Sequence, residues 1–65
     1  MPGYTPAVKE QLVAAGCAFD RQGKGDHEIW FSPHTLRKFP VDSDIRSRHT
    51  ANEIMKQAGL PHRFR

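Results

Sequence analysis

The segment Gly25-Asp26-His27-Glu28-Ile29-Trp30 is where this chain gathers residue types able to do chemistry. A glycine-punctuated basic run, Gln22-Gly23-Lys24-Gly25, ends in a histidine that opens an apolar stretch. Glycine lets a backbone approach a ligand closely, and histidine is the side chain suited to moving protons near neutral pH. His27 beside a basic loop points to proton transfer on an anionic substrate. The competing reading is a hairpin turn with an exposed histidine. Asp26 and Glu28 flank it; a nearby carboxylate would favour the charged imidazole, and the competing reading is two solvated acids at a turn. A second group, Arg46, Arg48 and His49, crowds the approach to a helix whose amino end already favours anions. These residues form a candidate phosphate-binding corner, which Lys24, Arg21, Arg37 and Lys38 extend into a positive surface. Trp30 falls on the strand face opposite Ile29 and Phe31. On an open face it is an exposed aromatic that stacks a base or anchors a protein partner. Otherwise it packs across strands on Lys38 or Pro40.

Other chemistries find little support. Asp26, His27, Glu28, His34, His49, Asp42 and Asp44 could ligate a metal, but none follows a recognised ligand spacing, so neither metal nor other cofactor is expected. No serine or cysteine sits in a nucleophile elbow. The single Cys17 excludes an internal disulfide and a Cys-rich zinc site, and its apolar context reads as a buried thiol. Nothing reads as a leader or membrane span, so a reducing cytoplasm is the expected location. The 65 residues are expected to form one domain, 1–65, with little core to spare. Ten Lys and Arg against seven Asp and Glu give a net charge of +3, which favours an acidic partner such as nucleic acid or an acidic protein surface.

The elements that must position these residues read as helix, three strands, helix. Thr5-Pro6 starts the first helix, with Thr5 as cap; Val8, Leu12 and Ala15 form its apolar face, and Gly16-Cys17 ends it. Extended runs cover Cys17–Arg21, His27–Ser32 and Arg37–Val41, with turns at Gln22–Asp26 and Pro33–Thr35. Alternation places Ile29 and Phe31 on the covered face of the middle strand, with His27 at its rim. Pro40 cannot donate to a ladder, which assigns the third strand to a sheet edge. Thr50-Ala51-Asn52-Glu53 is a capping box, Ala51, Ile54, Met55 and Ala58 are the apolar stripe behind it, and Gly59-Leu60-Pro61 is the stop. The result is an α+β fold, α-β-β-β-α, a three-stranded antiparallel sheet with two helices on one face. Its core spans about 5–60, followed by a mobile basic tail at 61–65.

This order, with Gly25-Asp26-His27-Glu28-Ile29-Trp30 opening the second strand and His49-Thr50-Ala51-Asn52-Glu53-Ile54-Met55-Lys56-Gln57-Ala58-Gly59-Leu60 closing the domain, resembles the HicA toxin family over nearly the whole chain. The resemblance implies a double-stranded-RNA-binding-domain-like fold. It implies mRNA cleavage without a metal, using the histidine of the Gly-x-His motif, here His27. It also implies a cognate HicB-like antitoxin that covers the active site. Many members carry Gly-Ser-His-His where this chain has Gly-Asp-His-Glu. Many carry a basic Val-Pro-Arg-His-like segment where this chain has Phe39-Pro40-Val41-Asp42-Ser43-Asp44.

For such a reaction His27 serves as general base or general acid. His49 or Lys24 supplies a second proton transfer or stabilises charge, Arg46 and Arg48 hold phosphates, and Trp30, Arg37 and Lys38 contact RNA or antitoxin. The reading from another class is a small RNA-binding module without catalysis. A groove-reading DNA-binding helix is disfavoured, because the second helix turns only Lys56 outward as a basic residue.

Overall fold

The computed structural model describes residues 3–61 and 64. The order is α1 (Thr5–Ala14), β1 (Ala18–Gln22), β2 (Glu28–Ser32), β3 (Arg37–Val41) and α2 (Arg48–Gln57). The strands form one antiparallel sheet in the order β1-β2-β3. This is the expected α-β-β-β-α arrangement, with β3 and its Pro40 at an edge. Among the described residues no helix is long and apolar enough to cross a membrane.

One face of the sheet packs under both helices. Val8 and Leu12 of α1 and Ala51, Ile54 and Met55 of α2 are buried with Trp30, Phe39 and Val41, and Cys17 joins them as a buried thiol. The covered face of β2 is the reverse of that expected. Trp30 and Ser32 lie inside, while Ile29 and Phe31 are half-exposed on the other face. Polar neighbours made Trp30 look solvent-facing, but each finds an internal partner. The Trp30 indole Nε1–H donates to Glu28 at 2.9 Å, and Lys9 of α1 donates to the same carboxylate at 3.2 Å. The Ser32 hydroxyl donates to the Ala58 carbonyl at 2.6 Å. Buried polar groups with such partners cost little, whereas leaving the indole in solvent would forfeit most of its apolar burial.

Both helices end as expected, through the same device. Gly16 and Gly59 take positive φ, +90° and +79°. Their amides and those of Cys17 and Leu60 return to the last turns: Gly16 to Val13, Cys17 to Leu12, Gly59 to Lys56 and Leu60 to Met55. These are Schellman caps, each with an apolar residue following the glycine. The helix starts differ from the sequence reading. The cap position of α1 is Tyr4, with no side-chain cap bond. Thr5 is occupied elsewhere: its hydroxyl accepts from the Ile45 amide at 2.8 Å and donates to the Ser43 carbonyl at 3.3 Å. With the Tyr4 amide bonded to the Ile45 carbonyl at 2.6 Å, the segment before α1 is fastened to the loop between β3 and α2, and Ile45 is fully buried. Helix α2 begins before the expected box. Ser47 caps it by accepting from the His49 amide at 3.0 Å, so Arg48 and His49 belong to the first turn.

Within the stretch 61–65, expected as a mobile basic tail, Phe64 is held against the domain. Phe64 packs its ring edge-on against Tyr4, with centroids 5.5 Å apart, and exchanges two hydrogen bonds with the Asn52 side chain at 2.7 and 3.1 Å. His62, Arg63 and Arg65 lie outside the described residues.

Candidate active site

His27 sits one residue before β2, where the β1–β2 hairpin closes. Its backbone is held on both sides. The His27 amide donates to the Lys24 carbonyl at 3.2 Å, while its carbonyl accepts from the Gly23 amide at 2.8 Å and the Gln22 side chain at 3.0 Å. The glycine-punctuated run is therefore a bonded turn. The imidazole is about half-exposed, and its Nε2 lies 3.3 Å from Oδ1 of Asp42. This pairing follows from the register. Glu28 faces Val41 at the end of the ladder, so positions 27 and 42 come next. Both share the parity of Ile29 and Pro40, on the open face and not at the rim of the covered one.

Glu28 does not act on His27. It points the other way, toward α1. The hydrogen bond from Trp30 holds its carboxyl below the usual carboxylate range; burial opposes this, and the bond and charge of Lys9 add to it. Asp26 is exposed, with no ion pair among the described residues.

Asp42 links His27 to a second set of side chains. Beside the free edge of β3 runs an open groove of about 340 Å³, lined by Pro40 and Asp42 from the sheet side and His49, Thr50, Glu53 and Gln57 from α2. His49 thus stands across the groove from Asp42, at the first turn of a helix whose amino end carries partial positive charge. Arg48 precedes it, exposed, and Lys24 sits in the turn next to His27. Neither has a carboxylate partner among the described residues. His27 and Asp42 therefore meet at one end of the sheet, with Lys24 in the adjoining turn and His49 across the groove, an arrangement able to hold a phosphate and move a proton.

The other expected site residues do not join them. Arg46 is exposed and ion-paired to Asp44 at 2.8 Å. Arg37 opposes Ser32 at the far end of β3, about 17 Å of strand from Asp42. Lys38 lies on the open face, 3.3 Å from Asp20, which also binds Arg21 at 2.8 Å. Trp30 is 6% exposed, so the expectation that it contacts RNA or antitoxin is corrected: its ring fills the core. Asp42 is the residue that sequence reasoning passed over, having counted it only among possible metal ligands. The signal was available: a four-residue turn at 33–36 fixes the pairing of β2 with β3 and brings 42 opposite 27. Among the described residues no three His, Cys, Asp or Glu side chains converge as a metal site would require.

A family model described as HicA toxin of bacterial toxin-antitoxin matches residues 7–60, which take in all three strands, all of α2 and most of α1. No curated protein and no solved structure matches the chain. The chain belongs to the HicA toxin family and is the toxin component of a toxin–antitoxin system.

Proposed function

We propose that this HicA-family toxin is an endoribonuclease that cleaves mRNA in the cytoplasm without a metal, with His27 as a catalytic residue, and that a HicB-like antitoxin neutralises it. The observation that carries the reading is the position of His27: a half-exposed imidazole on a fixed backbone, with Lys24 in the same turn, beside a groove that holds His49. The reaction this suits is transesterification. The 2′-oxygen of a ribose attacks the adjacent phosphorus and forms a new P–O bond as the P–O5′ bond breaks. The 2′-hydroxyl proton passes to a base, and a proton from an acid reaches the departing 5′-oxygen. The products are a 2′,3′-cyclic phosphate and a 5′-hydroxyl. His27 takes one of the two proton transfers, and His49 is the candidate for the other. Lys24 and Arg48 stabilise the added negative charge at phosphorus. An antitoxin with an acidic surface would fit the same corner and exclude RNA from it.

The test is incubation of the purified chain with an mRNA transcript in excess EDTA. Cleavage to ends carrying a cyclic phosphate, suppressed by adding the antitoxin, is the expected result. Binding of the transcript without cleavage would favour the RNA-binding module instead. Loss of cleavage in EDTA, with recovery on adding magnesium or manganese, would make the acids of this corner metal ligands.

A further inference from the structure

We propose that Asp42 is the positioning residue for His27: its carboxylate takes the Nε2 side of the imidazole and so turns Nδ1 toward the RNA. The proposal deepens the ribonuclease reading above and rests on it.

Three observations support it. The first is that both backbones are fixed before the side chains meet. His27 is bonded through its amide and its carbonyl inside the hairpin turn. Asp42 follows the fully buried Val41 and precedes the loop that Thr5 and Tyr4 fasten through Ser43 and Ile45. The 3.3 Å approach is thus set by strand register, and only side-chain rotation remains to be restricted. The second is the choice of partner. The other ion-paired carboxylates, Asp20, Glu28 and Asp44, bind lysine or arginine, whereas Asp42 binds a histidine. A carboxylate accepts from Nε2–H in both the neutral and the charged ring, so it can hold one edge of the imidazole through a whole proton-transfer cycle. Once side-chain rotation brings Nε2–H onto the Asp42 carboxylate, 3.3 Å away, the neutral ring has its lone pair at Nδ1 to receive the 2′-hydroxyl proton, and the charged ring has its second proton there to deliver. The third is electrostatic. Asp42 and Glu53 both line the groove beside the corner that is to receive phosphates. A carboxylate there opposes RNA binding, so a purely electrostatic account predicts that removing Asp42 helps the enzyme. The positioning role predicts the opposite sign for cleavage.

That difference is the experiment. Single-turnover cleavage of an mRNA transcript is compared with equilibrium binding of its 2′-O-methylated copy, which lacks the nucleophile. The proteins are the parent, Asp42→Ala, Asp42→Leu, Asp42→Asn and His27→Ala, with melting recorded for each. Asp42→Ala is expected to slow cleavage about tenfold, a fraction of what a positioned proton-transfer group supplies, while RNA binding stays level or tightens. Asp42→Leu has nearly the shape of the amide variant but no acceptor; it gives the same result and carries the test if the alanine variant melts early. Asp42→Asn keeps an oxygen for Nε2–H and recovers part of the rate. If His27→Ala is inactive while Asp42→Ala and Asp42→Leu cleave at or above the parental rate, the ribonuclease reading stands and Asp42 has no positioning role. A slower rate that merely follows weakened RNA binding overturns it as well. If His27→Ala cleaves at the parental rate, the catalytic assignment of His27 falls, and with it that of Asp42.

Discussion

His27 and His34 flank the same strand, one just before β2 and one in the turn after it, and they live in different surroundings. His34 closes the end where both helices stop. Its Nε2 lies 2.7 Å from the Ala15 carbonyl at the end of α1, while Ser32, two residues before it, binds the Ala58 carbonyl at the end of α2. A carbonyl only accepts, so Nε2 of His34 carries the proton and the ring is a fastener between turn and helix. At the opposite end of β2, His27 meets a side-chain carboxylate next to an open groove that His49 also lines. Neighbours, not residue type, decide which histidine is available for chemistry.

The comparison can be broken most directly at His27. His27→Ala should lower RNA cleavage by about 10²- to 10⁴-fold and cost less than about 1 kcal/mol of stability, because an exposed ring is removed. Cleavage rates and melting curves read both quantities, and parental cleavage by a folded variant would cancel the contrast. The next largest effect is expected in the core face of the strand between the two histidines. Trp30→Ala should cost about 3–5 kcal/mol, enough to unfold much of so small a domain, as denaturant titration would reveal. A variant with parental stability would mean that Trp30 does not anchor the sheet to the helices.

His34→Ala is the mirror image of His27→Ala. It should lose about 0.5–1.5 kcal/mol through the bond to Ala15 and cleave RNA at the parental rate when measured well below its melting temperature. A rate loss without a stability loss would place chemistry at the wrong end. The smallest effect belongs to Glu28, on the covered side of β2. Because its folded pKa is lowered, its stabilising contribution is present above the ordinary glutamate range and is lost as pH falls through the lowered folded value. Glu28→Gln should therefore be less stable than the parent at neutral pH by under about 1 kcal/mol. The gap should close as the pH falls below the ordinary glutamate range and through the lowered folded value, which melting at a series of pH values would show. A gap that widens on acidification would reverse the assigned sign.

Much of this architecture is written in short local signals. Ala15-Gly16-Cys17 and Ala58-Gly59-Leu60 each state a helix end completely, because only glycine takes the left-handed turn cheaply and the residue after it must be apolar. The edge position of β3 follows from Pro40, which cannot donate to a ladder. Helix α2 starts ahead of the capping box at Thr50 because Ser47, equally able to cap, accepts from the His49 amide and adds Arg48 and His49 to the first turn. The face of β2 was misread for a different reason. Glu28 and Ser32 look like solvent-facing residues until their partners are known, and those partners, Lys9 and the Ala58 carbonyl, lie 19 and 26 residues away. At the site, His27 was legible as a residue type. Its partner Asp42 is legible only one step later, by carrying strand register across the turn at 33–36.

The bonds from Tyr4 and Thr5 to Ser43 and Ile45 also set an order of events during synthesis. The two hydrogen bonds of the Thr5 hydroxyl join residues 38 and 40 positions apart. The segment before α1 is made ahead of the loop that follows β3 and must wait for it before either bond is fixed. That loop carries Asp42 and launches the turn that bears Arg48 and His49. A nascent chain holds His27 well before it holds the corner that would make it useful. For a toxin proposed to attack messages, the cutting geometry is completed only when nearly all of the domain has been translated.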